Sequence, residues 1–205
     1  RHGFAAAVAR SLLIDGAQIG VVLQREVLPP HRGVLDLVGQ FDDPEEGVLR
    51  LLLLLEDVHE QDKGEDGGGP AALIDQVAGR LARDPVAAIA TLATPIESLH
   101  DFLDPNVVKV VYAADGAALY FSRAPIPWSR DGAAAGLGTQ TDFSGALRHV
   151  GLYAYRVGAL KRITAMAPSA YEQAEKLEQL RALQAGLRIM VALCAEPPGP
   201  GIDTD

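Results

Sequence analysis

From residue 70 onward the apolar positions of this chain follow two alternating rhythms. Leu73, Ile74, Val77, Ala78 and Leu81 recur at three- and four-residue steps, which places them on one face of a helix over 71–82. Asp84-Pro85 ends that helix. Residues 86–96 are almost wholly apolar, the pattern of a strand covered on both faces in a parallel or mixed sheet. Residues 107–112 and 118–123 are rich in strand formers and enclose Asp115-Gly116, which predicts a hairpin. Pro125 and Pro127 then interrupt regular structure, and 131–141 is a Gly- and Ala-rich loop. The next strand covers 149–155. Its alternation puts His149, Gly151, Tyr153 and Tyr155 on one side and Val150, Leu152 and Ala154 on the other. The first side carries polar tips around a glycine gap, over which a small ligand, or simply water or a loop, would lie.

Ser169 and Glu172 have capping-box spacing, and the helix they start is expected to run through Ala174, Leu177, Leu180 and Leu183 to a stop at Gly186. Glu178, Gln179 and Arg181 lie off the leucine stripe or on its edge, where solvent-facing polarity and a binding role are both open. Residues 187–194 read as another apolar strand. It leads to Glu196 and Asp203 on a Pro- and Gly-rich loop. Carboxylates just beyond a strand end sit where open α/β folds bind ligands, and their hard oxygens suit Mg²⁺.

Residues 1–69 are less legible. Residues 4–14 fit a short helix, and 19–28 a strand closed by Pro29-Pro30. The apolar run 48–55 fits a buried strand or half a helix equally well. Asp57, His59, Glu60 and Asp62 cluster without a metal-ligand spacing, since the position four after His59 is Lys63. The Gly-rich stretch 64–69 lacks the Gly-Lys-Ser/Thr ending of a phosphate loop.

Composition narrows the function classes. The chain has 205 residues, one domain or slightly more, and 48% of them are hydrophobic, enough for a core. Its formal net charge of -9 argues against nucleic-acid or anionic-membrane partners. The charge is uneven: residues 1–69 hold six Lys or Arg against thirteen Asp or Glu, a net of -7. A single cysteine, Cys194, rules out an intrachain disulfide and fits a reducing cytoplasm. No run approaches the ~20 apolar residues of a membrane span. The opening Arg1-His2-Gly3-Phe4 lacks both a signal-peptide pattern and a Met, as an interior piece of a longer chain would.

Several stretches taken together resemble the 3-deoxy-manno-octulosonate cytidylyltransferase family, the CMP-KDO synthetases. They are Ala90-Thr-Leu-Ala-Thr-Pro-Ile96, Asp104-Pro-Asn-Val-Val-Lys-Val-Val111, Ala118-Leu-Tyr-Phe-Ser-Arg-Ala-Pro-Ile-Pro-Trp128 and Arg148-His-Val-Gly-Leu-Tyr-Ala-Tyr-Arg156, with Pro168-Ser169, Leu177-Glu-Gln-Leu-Arg181 and Gly201-Ile-Asp-Thr204. The resemblance covers 70–205 and implies an α/β, Rossmann-like nucleotide-diphospho-sugar transferase fold: a mixed sheet with flanking helices and an incomplete or aberrant N-terminal part. It implies transfer of CMP from CTP to KDO, with Mg²⁺, in a cytoplasmic homodimer that serves lipopolysaccharide biosynthesis. By the same resemblance, Arg123 pairs with the KDO carboxylate and is the catalytic candidate. His149 and Tyr153 line the sugar pocket, Glu178 and Gln179 bind sugar hydroxyls, and Asp203 is a Mg²⁺ ligand. Tyr120, Arg130, Arg148 and Arg181 are secondary candidates.

Residues 1–69 lack the family's basic CTP-phosphate loop and its Gln-Gly-Asp-Glu-Pro motif. They read as a foreign segment, a misread frame or a strongly diverged half. The alternatives to full activity are an inactive fragment that keeps a sugar site or dimer surface, and a cytidylyltransferase for a related sugar acid.

Overall fold

The computed structural model describes residues 9–14, 17–23, 70–133 and 135–194. The run 48–55, the acidic cluster around His59, the Gly-rich stretch 64–69, Glu196 and Asp203 lie outside the described residues.

The described strands form one seven-stranded sheet. Strands β1 (Ala9–Ile14) and β2 (Ala17–Leu23) pair antiparallel, with Ile14 opposite Ala17. The helix expected over 4–14 is therefore corrected to a strand over 9–14. The physical reason is non-local: all six residues of β1 pair with β2, which itself pairs with β6. β2 then docks antiparallel on β6 (Leu147–Arg156), from Ile19 opposite Arg156 to Leu23 opposite Leu152.

Helix α1 (Pro70–Ala82) follows, as its periodicity predicts. It buries Ile74, Val77, Ala78 and Leu81 against the sheet. Each large side chain so buried contributes about 1.5–3 kcal/mol. Strand β3 (Ile89–Pro95) lies between β6, antiparallel, and β7 (Ile189–Leu193), parallel. Flanked on both edges and covered on both faces, it has no use for polar side chains except where they bond internally. Short helix α2 (Leu99–Leu103) is capped by Ser98, whose Oγ accepts from Asp101 N at 3.0 Å.

Strands β4 (Lys109–Tyr112) and β5 (Ala118–Ser122) form the expected hairpin. Gly116 turns it with φ +88°, and a Cβ there would meet the Arg80 guanidinium at 2.6 Å. β4 pairs with the first residues of β6, while β2 pairs with the last. One edge of β6 thus serves two partners in succession.

Helices α3 (Val157–Thr164), α4 (Ala170–Glu175) and α5 (Gln179–Gln184) cover the face opposite α1. The capping box forms as its spacing predicts: Ser169 Oγ accepts from Glu172 N at 3.2 Å, and Ser169 N donates to Glu172 Oε2 at 3.0 Å. The continuous helix expected to Gly186 does not form. Lys176 adopts a left-handed conformation, φ 54°, and splits the segment into α4 and α5. After the break, Leu177 and Leu180 lie in the core with Ile163. Gly186, φ +74°, is the expected stop after α5.

The two larger core clusters among the described residues lie on opposite faces of the sheet, with a smaller one around Phe102. Ile89, Ala93, Phe121, Tyr153, Tyr155, Leu160, Ile163 and Leu180 fill one side of the sheet. Ala90, Leu92, Leu152, Ala154 and Met190 meet α1 on the other. This α/β layering with a mixed sheet agrees with the fold class read from the sequence.

Candidate sugar-acid site

The central pair of strands carries an irregularity. Thr91 faces Tyr153, but the next residue, Leu92, faces Val150. Two additional residues, Gly151 and Leu152, are thereby accommodated in β6. A shift of two preserves side-chain parity, so His149, Tyr153 and Tyr155 still share one face. The glycine gap legible in the sequence sits in this bulge.

That face is not solvent. Tyr153 and Tyr155 are buried and His149 is half-buried. The His149 ring meets Phe121 edge-on at 5.0 Å between centroids and Tyr153 at 5.2 Å, and Tyr153 meets Tyr155 at 5.8 Å. Burial pushes the His149 imidazole down to about 3, so the ring is neutral at physiological pH. Burial also raises the Tyr153 and Tyr155 phenols, and the nearby Glu178 carboxylate adds to both shifts. Tyr153 Oη is buried without a hydrogen-bond partner. An unsatisfied buried hydroxyl costs roughly 1–3 kcal/mol.

Glu178 and Gln179 stand at the start of α5, just after the left-handed turn. Gln179 is buried and Glu178 half-buried, so neither is the ordinary solvent-facing group that the helical pattern allowed. Their position is fixed from two directions. Glu175, at the end of α4, accepts from Ser122 Oγ at 2.7 Å and from Arg123 N at 2.9 Å. Arg181 donates to Glu172 and to the carbonyls of Ile163 and Met166, tying α5 to α3 and α4.

Arg123 follows β5 directly. Its Nε donates to the Glu175 carbonyl at 2.7 Å and Nη1 to the Pro105 carbonyl at 2.9 Å. These bonds aim the guanidinium while leaving Nη2 without a hydrogen bond among the described residues. Phe121, two residues earlier on the same strand, touches His149. The structure thus joins His149, Tyr153 and Glu178 in one group and links Arg123 to it through Phe121 and Glu175. Asp203 lies outside the described residues.

Among the secondary candidates, Arg130 and Arg148 are exposed. Tyr120 is half-buried, set edge-on to Tyr171, with its phenol raised by burial and by Glu175. Arg181 is a buried structural cation. Two participants escaped the sequence reading. Thr91 signals itself only as one of two buried hydroxyls, with Thr94, in a strand whose other residues are apolar. Glu175 has no local signal, because its role depends on the chain breaking one residue later.

The fold and the residues that match define a nucleotidyltransferase class: the family profile for cytidylyltransferases covers residues 70–189, and the chain belongs to that family. Within it, the chain is 52% identical over 142 residues to a 3-deoxy-manno-octulosonate cytidylyltransferase of Xanthomonas axonopodis pv. citri, covering 69% of this chain and 54% of that protein. A protein of the same name from Thioalkalivibrio sulfidiphilus is 51% identical over 144 residues, covering 69% and 56%. A solved CMP:2-keto-3-deoxy-manno-octonic acid synthetase complexed with CTP superposes with a TM-score of 0.56 at 34% identity, over 74% of this chain and 62% of the other. The chain spans about half the length of the curated relatives it matches.

Proposed function

We propose that this chain carries the sugar-acid half of a CMP-KDO synthetase. The reaction is CTP plus 3-deoxy-D-manno-octulosonate giving CMP-KDO and pyrophosphate. The sugar's hydroxyl oxygen bonds to the α-phosphorus of CTP, the bond to the bridging oxygen breaks, pyrophosphate leaves and the hydroxyl proton is released. Such transfer depends on positioning and on electrostatic stabilisation rather than on a protein nucleophile.

The observation that carries this reading is the unpartnered, buried Tyr153 hydroxyl beside His149 and Glu178, in residues that match relatives named for this sugar acid. A ligand hydroxyl would complete the Tyr153 hydrogen bonding. Arg123 Nη2 would take the ligand carboxylate, where an oriented guanidinium binds more strongly than a mobile ammonium. Glu178 and Gln179 would bond further sugar hydroxyls.

Mg²⁺ would neutralise charge on the triphosphate. The described residues contain no group of three or more His, Cys, Asp or Glu that fits a metal ion, so they do not make the site by themselves. Asp203 is proposed as a ligand on its place in the Gly201-Ile-Asp-Thr204 stretch alone, and no step above passes through the metal. A homodimer in the cytoplasm, serving lipopolysaccharide synthesis, completes the proposal. Among the described residues no helix is long and apolar enough to cross a membrane.

One observation favours a second reading, a chain that binds the sugar acid without turning it over. The matched part begins at residue 70, and residues 1–69 carry a net charge of -7, whereas a triphosphate needs cations. Pyrophosphate release in the presence of CTP, KDO and Mg²⁺ separates the two. Release that needs both substrates is expected. KDO binding without release establishes the second reading, and loss of both refutes the site.

A further inference from the structure

Thr91 Oγ1 touches three polar atoms inside the sheet. It lies 2.8 Å from the carbonyl of Leu152, 3.2 Å from that of Val150 and 2.9 Å from His149 Nε2. Both carbonyls belong to the bulged part of β6, opposite the point where the register shifts. A threonine hydroxyl has one proton to give and lone pairs to receive with. A carbonyl only accepts, and two oxygens at 2.8 Å with no hydrogen between them repel. The hydroxyl proton therefore goes to a bulge carbonyl, and the contact to His149 must be filled by a hydrogen on Nε2. A neutral imidazole carries one N–H, so its Nδ1 is left as a bare lone pair. No described residue pairs with that Nδ1.

We propose that Thr91 is a positioning residue: it fixes His149 as the Nε2–H tautomer, so that Nδ1 meets a ligand as an acceptor and takes a sugar hydroxyl rather than a carboxylate or phosphate. This rests on the reading of His149 as part of the sugar-acid site. The bulge supplies the carbonyls, the carbonyls orient the hydroxyl, and the hydroxyl sets the ring. Charge recognition is left to Arg123, and the neutral ring selects for a donor. Thr91 is fully buried, out of a ligand's reach, so its effect would pass through the imidazole.

The test is the tautomer, read by long-range ¹H–¹⁵N correlation on the full chain labelled with ¹⁵N-histidine, with the His149 signal assigned from a His149→Asn variant. The wild type is expected to show Nε2–H, with the Nδ1 resonance shifting on addition of KDO alone. Thr91→Val, which keeps the shape and removes the hydroxyl, is expected to lose the single Nε2–H form and to bind KDO roughly tenfold more weakly. Thr91→Ser, which retains the hydroxyl, is expected to keep both properties, and Thr91→Ala is expected to lose both where the valine variant does not fold. An Nδ1–H ring in the wild type, or a ring unchanged by Thr91→Val, overturns the assignment to Thr91. A His149 signal indifferent to saturating KDO overturns instead the site reading beneath it.

Discussion

Arg181 grips Glu172 side-on, with Nε 2.7 Å from Oε2 and Nη2 2.5 Å from Oε1, and both side chains are almost wholly removed from water. The same carboxylate closes the capping box of α4, and the same guanidinium reaches the end of α3. Removing one partner strands the other in the interior. Arg181→Ala is expected to destabilise the chain by about 3–5 kcal/mol, measured as a fall in urea midpoint. The double variant Arg181→Met with Glu172→Leu should recover much of that loss, because neither charge then remains buried alone.

Arg123 is held by the carbonyls of Glu175 and Pro105, which leaves part of its fork for a ligand. Arg123→Lys keeps the charge but loses the planar pair of donors. Titration with KDO is expected to show affinity lowered by about 2 kcal/mol or more. An unchanged dissociation constant would remove Arg123 from the site.

The His149 imidazole is depressed to about 3 from an ordinary 6.5. The unfolded chain therefore takes up a proton between those values that the folded chain refuses. Stability from this group is complete above pH 6.5 and declines as pH falls toward 3, by up to about 1.4 kcal/mol per pH unit. Denaturant midpoints at pH 7 and pH 5 should converge for His149→Gln more than for the wild type.

Lys176 occupies the left-handed region at φ 54°, where a side chain is strained and glycine is not. Lys176→Gly is expected to raise stability by about 0.5–1 kcal/mol, read from thermal unfolding. A loss of stability would mean that the lysine stem contributes packing worth more than the backbone strain.

Much of this chain's local structure follows from residue order alone. The stripe Ile74, Val77, Ala78, Leu81 demands a helix against an apolar surface. Asp115-Gly116 demands a turn, and Ser169 with Glu172 demands a helix start. Alternation along β6 assigns His149 and Tyr153 to one face, because strand parity survives even a two-residue bulge. These features depend on neighbours within a few residues, so they are written locally.

Tertiary structure decided the rest. The leucine spacing from Leu177 to Leu183 is compatible with one helix, yet the chain breaks at Lys176 and packs Leu177 and Leu180 into the same core as Ile163. The strand at 9–14 exists through its partner β2, itself paired to β6, rather than through its own composition. Glu175 acquires its role only when β5 arrives with Ser122 and Arg123, and Thr91 only when the bulge offers two carbonyls and an imidazole. Periodicity specifies which face of an element is apolar. Which groups meet across that face, and hence which protonation and tautomer each one holds, is settled by contacts between residues far apart in the chain, as Thr91 and Leu152 are at 61 positions.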